Sequence, residues 1–363
     1  MKPQVLFIGD LNKSLPQYEE FTKKFDCIEY ELTTLEQLIE DFKTKFQNVQ
    51  AIYGAWLGFF LLGGFRNEVL QNAPSSLKVI SICSVGHDGY DGKEMAEKNI
   101  ILTNVPSDGA SEPVAELVLY NALLSFRNFN IFQDNFSKDT NNTVQIRRQL
   151  ETASFKSDSG TTTLGEKQKY AFGHYAIDRS NLSPRNHNVV LVGFGKIGQT
   201  IGKHLAEIGM NVHYTKRSKL SQEEEANVPY PVTYHRNLTD TKNIADLIVV
   251  ACPGTPETKH MINKESIDAF AKPIRIINIG RGSVIDEQAL VDGLKSGKVV
   301  FAGLDVFEDE PRVHEELFGR QDVVLTPHIA ASTVENFDHT AIMAMKNIEN
   351  VLLENGNGIN KVN

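Results

Sequence analysis

The chain has 363 residues, with 37 lysines and arginines against 46 aspartates and glutamates, which gives a formal net charge of −9. This length favours two domains, and the acidic balance argues against nucleic acid as the main partner. Its three cysteines, Cys27, Cys83 and Cys252, lie far apart without metal-ligand spacing, so we expect no disulfide framework, no metal site and a reducing, cytoplasmic setting.

The first 110 residues alternate between short apolar runs and longer amphipathic stretches. The apolar runs predict strands at residues 5–8, 51–53, 79–83 and 100–103, and the amphipathic stretches predict helices at residues 15–25 and 35–46. Together they indicate a small doubly wound α/β unit. The run at residues 5–8 is too short for a secretion signal, and we expect no membrane-spanning segment anywhere in the chain.

The middle of the chain changes character twice. An early proline, Pro113, and an apolar run predict a long, largely buried helix over residues 112–124 that could connect two domains. The composition then turns polar, and we predict a long irregular excursion, partly mobile, at about residues 137–184. Further apolar runs predict a second parallel sheet, with strands beginning at residue 189 and at residues 211–214, 245–251, 274–279, 299–304 and 323–325, before a final helix, Val334–Leu353.

A glycine-rich turn follows the apolar strand that begins at residue 189. It has the spacing Gly-x-Gly-x-x-Gly, in the residues Gly193, Phe194, Gly195, Lys196, Ile197 and Gly198. The first glycine permits a tight turn, the second lets a pyrophosphate approach the backbone, and the third lets helix and strand pack closely. A strand before it and a helix after it favour dinucleotide binding, although such turns can also serve geometry alone.

The turn after the next strand lacks the acidic residue that would bind the ribose hydroxyl of NAD. Its residues are Thr215, Lys216, Arg217 and Ser218. Two cations and two hydroxyls suit the extra phosphate of NADP(H), because arginine offers a bidentate fork to phosphate. We therefore predict that NADP(H) is preferred and that NAD(H) remains possible; an ordinary solvated basic turn is the alternative.

Three segments near the ends of later strands carry an arginine, a carboxylate and a histidine. Arg281 lies between two glycines, residues 303–311 are rich in acidic side chains, and His328 follows the last predicted strand. A carboxylate bonded to a histidine raises the imidazole pKa and fixes its tautomer, as a general acid needs. Taken singly, these residues are equally compatible with a surface ion pair, a helix-capping acid and a loop histidine.

The four motifs together resemble the D-2-hydroxyacid dehydrogenases: residues 193–198, 278–282 with Arg281, 303–311 with Glu310, and 327–331 with His328. The resemblance spans nearly the whole chain. It implies two doubly wound parallel-sheet domains with a cleft between them. Residues 1–112 and 331–363 would form a flavodoxin-like substrate domain, and residues 113–330 a Rossmann coenzyme domain.

The resemblance also implies a role for each site residue. His328 would donate the proton to a 2-oxo acid, Glu310 would keep that histidine charged, and Arg281 would bind the substrate carboxylate and polarise its carbonyl. Asp305 would hold the nicotinamide carboxamide. Further cofactor contacts would come from Val114, Cys252, Pro253, Thr258, Ile279, Gly280 and Ala330, and from Arg281 and His328 as well. In the first domain, the N–H groups of Val85 and Gly86 would hold the substrate carboxylate. Trp56 would also contact the substrate, since it follows a first-domain strand where this family recruits side chains to the pocket.

The substrate is left open by the sequence. The resemblance implies glyoxylate, hydroxypyruvate or a bulkier 2-oxo acid, and the apolar stretch at residues 55–62 would suit an aryl group, although it would equally suit a core or a subunit contact. Members of this family are usually homodimers. A dinucleotide-sensing corepressor of the same fold is the alternative function, and phosphoglycerate and formate dehydrogenases are the nearest enzymatic rivals.

Overall fold

The structure is a computed structural model that describes residues 2–56, 58–166 and 170–363. Contacts between α-carbons divide the chain into two compact units. One unit comprises Met1–Gly109 and Ser332–Asn363, and the other comprises Ala110–Ala331. The chain therefore leaves the first unit once and returns to it once.

The first unit is built on a parallel sheet of five strands. The strands are β1 (Gln4–Ile8), β2 (Asp26–Tyr30), β3 (Val49–Gly54), β4 (Val79–Ile82) and β5 (Ile101–Thr103), in the order β2-β1-β3-β4-β5. Its helices are α1 (Pro16–Lys24), α2 (Leu35–Thr44), α3 (Asn67–Gln71) and α4 (Gly92–Glu97). This strand order is that of a flavodoxin-like, doubly wound unit.

Successive side chains of β1 point to opposite faces of this sheet, and both faces are buried. Leu6 and Ile8 pack into the cluster that contains Leu38 of α2, whereas Val5 and Phe7 pack into the cluster that contains Phe21 of α1. A strand whose neighbouring residues are all buried reads as an uninterrupted apolar run, which explains why it was predicted.

The second unit begins with a long helix followed by the polar excursion. The helix α5 (Asp108–Arg127) starts before Pro113, earlier than predicted. The short helix α6 (Phe129–Asp134) comes next. The excursion itself contains α7 (Thr143–Glu151) and two hairpins, β6 (Ser154–Lys156) with β7 (Thr161–Thr163) and β8 (Tyr175–Ala176) with β9 (Arg179–Ser180).

The prediction that residues 137–184 are irregular was therefore wrong for the described part of the excursion, to which residues 167–169 do not belong. Its small core includes Ile146 and Leu150, and Ile131 of α6 packs in the same cluster. Arg320, 6% exposed, ties it to the rest of the unit by donating to the carbonyl groups of Ser157 and Asp158. Strands of two or three residues contain few apolar side chains, so the polar composition gave no periodic pattern from which to predict them.

The rest of the second unit is a parallel sheet of seven strands. They are β10 (Asn188–Val192), β11 (Asn211–Thr215), β12 (Val232–His235), β13 (Leu247–Val250), β14 (Ile274–Asn278), β15 (Val299–Leu304) and β16 (Val323–Leu325), in the order β12-β11-β10-β13-β14-β15-β16. The helices between them are α8 (Lys196–Glu207), α9 (Gln222–Ala226), α10 (Lys264–Ala269) and α11 (Glu287–Ser296). This is the Rossmann order, which places ligands at the carboxyl ends of the strands where the order reverses.

The last helix, α12 (Val334–Leu353), returns to the first unit and has the predicted bounds. Its Ala344 and Ile348 pack in the same cluster as Phe21 of α1. Short 3-10 helices lie at Phe60–Leu62, Leu238–Thr241, Gly282–Val284 and Glu315–Leu317. Both sheets are parallel and doubly wound, which confirms the predicted fold class. Among the described residues, no helix is long and apolar enough to cross a bilayer.

Candidate active site and cofactor groove

The glycine turn joins β10 to α8, and each of its three glycines has a different reason to lack a side chain. Gly193 has φ +100°, and an added Cβ would lie 2.7 Å from the carbonyl oxygen of Ala251. A Cβ on Gly198 would lie 2.4 Å from the carbonyl oxygen of Gly193. A Cβ on Gly195 would meet no atom within 4 Å. Two glycines are thus required by packing, and the third keeps open space over the backbone at a helix N-terminus.

That open space fits a dinucleotide pyrophosphate. The first N–H groups of a helix have no partner within the helix and attract anions. The N-cap of α8 is Gly195, which has no side chain to accept these N–H groups. Within the turn, Phe194 is buried and stacks on Tyr214, whereas Lys196 is exposed.

The basic turn lies beside the glycine turn. The N–H of Gly193 donates to the carbonyl of Thr215 at 3.0 Å, so the ends of β10 and β11 are adjacent. Thr215 is buried, and the next three residues, Lys216 to Ser218, are exposed. In the part of the chain that the structure describes, neither Lys216 nor Arg217 forms a salt bridge. The pKa of Glu257 is lowered, first by its hydrogen bond to Thr255 and to a smaller extent by the charge of Arg217.

The loops after β13 and β14 form the other side of this sheet edge. Cys252 and Pro253 follow β13, and the hydroxyl of Thr258 donates to the Pro253 carbonyl at 2.8 Å. Ile279 and Gly280 follow β14, and a Cβ on Gly280 would lie 2.7 Å from the Cys252 carbonyl oxygen. The two loops are therefore in backbone contact. The remaining two residues of the predicted cofactor set, Val114 and Ala330, are buried in one hydrophobic cluster with Phe194.

Arg281 is held between two glycines that allow close packing. A Cβ on Gly282 would lie 1.8 Å from the carbonyl carbon of Phe307, so this backbone packs directly on the segment after β15. The Arg281 guanidinium donates to the carbonyl of Gly280 at 2.8 Å, and the side chain of Asn278 donates to the Arg281 carbonyl at 3.0 Å. These contacts set the backbone from which the guanidinium projects.

Glu310 and His328 form a hydrogen-bonded pair. Nδ1 of His328 lies 3.1 Å from Oε2 of Glu310, and Oε1 of Glu310 accepts the N–H of Phe307 at 3.0 Å. The bond to Glu310 raises the pKa of His328 against the opposing effects of burial and of Arg281. Burial would raise the pKa of Glu310, but the hydrogen bonds from His328 and Phe307 outweigh it and the pKa is lowered. Both shifts favour a charged imidazolium–carboxylate pair.

Asp305 organises the loop that carries His328. This carboxylate is 2% exposed and accepts from the Thr326 hydroxyl at 2.7 Å and from the N–H groups of Ile329 and Ala330, both at 2.9 Å. His328 lies between these partners with φ +55°, a left-handed conformation that side chains seldom adopt. This loop-holding role could not be predicted, because the backbone N–H groups that Asp305 accepts from follow a different strand.

The predicted substrate loop belongs to the first unit. The Ser84 hydroxyl donates to the Gly86 carbonyl at 2.7 Å, and the Asn104 side chain donates to the Val85 carbonyl at 2.8 Å. Neither the Val85 nor the Gly86 N–H donates a hydrogen bond to another described residue. Trp56 is half-buried against the hydrophobic cluster of α1 and α12. Of the apolar stretch at residues 55–62, Leu57 lies outside the described residues.

The structure thus brings together Arg281, Asp305, Glu310 and His328, together with the glycine and basic turns, at the carboxyl ends of one sheet. It describes the substrate loop and Trp56 only within the first unit. Across residues 2–56, 58–166 and 170–363, no group of three or more potential metal ligands is placed to hold an ion. Thr326 and a second histidine–carboxylate pair, His260 with Glu308, were not predicted. Thr326 lies beside one quoted motif and Glu308 within another, whereas His260 lies outside all four.

Comparisons with known proteins show which family the chain resembles in sequence and fold. The family model described as "D-isomer specific 2-hydroxyacid dehydrogenase, NAD binding domain" matches residues 163–330. A Saccharomyces cerevisiae protein named as a 2-hydroxyacid dehydrogenase is 32% identical over 95% of this chain and 91% of its own length. A hydroxyphenylpyruvate reductase of Plectranthus scutellarioides is 33% identical over 79% of this chain and 78% of its own.

Two solved structures are similar over almost their full lengths. The holo form of Rhodotorula graminis D-mandelate dehydrogenase has a TM-score of 0.84 and 26% identity, covering 99% of this chain and 97% of its own. An NADPH-dependent glyoxylate/hydroxypyruvate reductase of Sinorhizobium meliloti, in complex with NADP and malonate, has a TM-score of 0.74 and 25% identity, covering 100% of this chain and 97% of its own.

Proposed function

Because this chain belongs to the D-isomer-specific 2-hydroxyacid dehydrogenase family, and is thus an NAD(P)-dependent oxidoreductase, we propose that it is an NADPH-preferring reductase of 2-oxo acids. The observation that carries the proposal is the Glu310–His328 pair, which provides a positioned proton donor in the same unit as Arg281 and the glycine turn. The relatives described above are dehydrogenases and reductases, so the corepressor-like alternative is not favoured.

The glycine turn and the basic turn would hold the cofactor. Gly195 leaves its backbone open for the pyrophosphate, and Lys216 and Arg217 offer exposed positive charge for a ribose phosphate. When bound, the nicotinamide supplies the hydride that adds to C2 of the acid, or accepts it in the reverse direction. That a relative was solved with NADP supports the same preference here.

His328 would supply the proton that converts the carbonyl oxygen to a hydroxyl. Because Nδ1 is bonded to Glu310, the transferred proton is the one on Nε2. Glu310 stabilises the imidazolium before the transfer. It accepts the hydrogen bond from Nδ1–H both before and after the Nε2 proton leaves. Arg281 would bind the substrate carboxylate and polarise the carbonyl, because two closely packed glycines fix the backbone that carries its guanidinium.

We propose that the N–H groups of Val85 and Gly86 bind the carboxylate as well, since neither has a partner among the described residues. For the rest of the substrate we propose a bulky or aryl group. Phe60 and Leu61, in the short 3-10 helix after β3, are 53% and 66% exposed and follow Trp56 by four and five residues. A hydroxyphenylpyruvate reductase and a D-mandelate dehydrogenase among the relatives support this size.

We also propose that the protein is a homodimer. Tyr170 and Phe172 of the excursion are 70% and 71% exposed, and two such aromatic side chains close together in sequence would suit a subunit contact. Multi-angle light scattering would give twice the chain mass; a monomer at micromolar concentration would contradict this.

Steady-state kinetics with both cofactors test the cofactor preference. We expect a higher kcat/KM with NADPH than with NADH. Arg217→Ala should lower kcat/KM with NADPH by about 10-fold to 100-fold, the value of a charge-assisted phosphate contact, and leave NADH turnover unchanged. Lys219→Ala is the matched control, because Lys219 is a nearby exposed cation already paired with Glu225 at 3.3 Å. A higher kcat/KM with NADH, or equal losses with both cofactors, would refute the preference.

A further inference from the structure

A second histidine–glutamate pair lies beside the catalytic one. Nε2 of His260 is 2.5 Å from Oε1 of Glu308, and the two side chains are 36% and 30% exposed. Glu308 is two residues before Glu310, and His260 is two residues after Thr258 of the cofactor groove. The pair therefore joins the loop after β13 to the segment after β15, both at the carboxyl edge of the sheet.

Glu308 also fastens its segment to α11. Its Oε2 accepts the N–H of Glu287 at 3.0 Å, and its own N–H donates to Oε1 of Glu287 at 2.9 Å. The adjoining Phe307 donates its N–H to Glu310 and packs its carbonyl on Gly282. One short stretch of backbone thus borders both the carboxylate that orients His328 and the turn that carries Arg281.

The backbone of His260 is also fixed, by contacts within the loop after β13 and with the segment after β14. Its φ of +51° is left-handed, its N–H donates to the Ser283 carbonyl at 2.9 Å, and its carbonyl accepts the Asn263 side chain at 3.0 Å. A histidine keeps such a conformation only where surrounding contacts fix it. The imidazole is therefore presented to Glu308 from a rigid loop.

We propose that His260 and Glu308 are a positioning pair for proton transfer, which holds the Glu310 segment against the loop after β13 and so keeps Glu310 aligned with His328. The catalytic meaning of this pair rests on the proposed function, whereas its effect on His328 does not. Neither residue needs to touch substrate. Without the imidazole, Glu308 keeps only its contacts with α11, and the Glu310 carboxylate loses part of its support.

The test is an NMR titration of the His328 imidazole in the full-length protein, with and without NADPH, after assignment with His328→Gln. We expect His260→Ala to lower the pKa of His328 by about half a unit, because Glu310 binds it less well. His260→Gln, which keeps a donor for Oε1 of Glu308, should restore at least part of that shift. Asp305 and Arg281, the other charged groups that act on His328, are unchanged in both variants.

His204→Ala is the matched control. His204 lies on α8, and its Nε2 is 2.8 Å from a different glutamate, Glu112 of α5. The His328 pKa should not move in this variant. In rates of 2-oxo acid reduction, His260→Ala should lower kcat more than it raises the KM for NADPH and shift the basic limb of the pH profile to lower pH.

A His328 pKa in His260→Ala equal to that of the control overturns the inference, even if kcat falls. Should His260→Ala not fold, Glu308→Gln is titrated instead with the same expected shift. Because the titration needs no turnover, the inference stands or falls separately from the proposed function: wild-type protein that reduces no 2-oxo acid would refute only the latter.

Discussion

Replacing Glu310 by glutamine tests the proton donor directly. The substitution keeps the size of the side chain and removes the negative charge 3.1 Å from Nδ1 of His328. A hydrogen bond between charged groups stabilises by about 1.5–3 kcal/mol. The His328 side chain is 42% exposed and that of Glu310 is 29% exposed, so solvent screening reduces the value to about 1–1.5 kcal/mol.

That energy corresponds to about one pKa unit, since a unit equals about 1.4 kcal/mol. The pKa of His328 is raised in the wild type, so the protonated form is present below that pKa and is lost as pH rises through it. Reduction requires the protonated form. In Glu310→Gln the pKa falls, and the basic limb of kcat/KM for reduction should move to lower pH by about one unit.

The assay is the rate of NADPH oxidation with a 2-oxo acid between pH 5 and pH 9, with Glu316→Gln as control. Glu316 is an exposed glutamate paired with Lys295, and it is not among the groups that shift the pKa of His328. Its variant should keep the wild-type profile. A basic limb that stays in place in Glu310→Gln would show that Glu310 does not set the proton affinity of His328.

Three further substitutions probe the cofactor turn and the supports of the site. Gly195→Ala should leave Tm unchanged, because no atom lies within 4 Å of the new Cβ. It should weaken NADPH binding about tenfold in a fluorescence titration, and an unchanged Kd would show that this turn does not bind the pyrophosphate. Asp305→Asn should cost about 2–3 kcal/mol in urea unfolding by disturbing its three hydrogen bonds; a change below 0.5 kcal/mol would contradict the loop-holding role. Arg320→Ala leaves Asp322, its bidentate partner, without its closest cation, and should cost about 3–5 kcal/mol and open the excursion to limited proteolysis; a proteolysis pattern like the wild type's would contradict the anchor.

The central strands of both sheets were predictable because they are buried on two faces and read as apolar runs. The edge strands β2 and β12 were not, since their residues are partly exposed and of mixed polarity. The hairpins of the excursion were not predictable for a related reason. Its stability comes from a buried arginine and a few apolar residues, and neither gives a periodic pattern.

The chemical groups of the site were predictable from their places after strands, because the carboxyl ends of parallel strands meet at one edge. The hydrogen bonds that hold these groups in place were not predictable. The bonds of Asp305 run to backbone groups more than twenty residues away, and the His260–Glu308 pair joins loops that are separate in sequence. Such contacts depend on how loops cross the sheet edge, which spacing alone does not reveal.

The most direct test of the proposed function is a set of initial rates for wild type and His328→Gln, with NADPH and NADH, on glyoxylate, hydroxypyruvate and an aryl 2-oxo acid. We predict that wild type reduces at least one of these acids, fastest with NADPH. In His328→Gln, kcat/KM should fall by about 100-fold or more while the Kd for NADPH stays within about twofold. Undiminished turnover in His328→Gln, or no reduction of any acid by wild type with either cofactor, would contradict it.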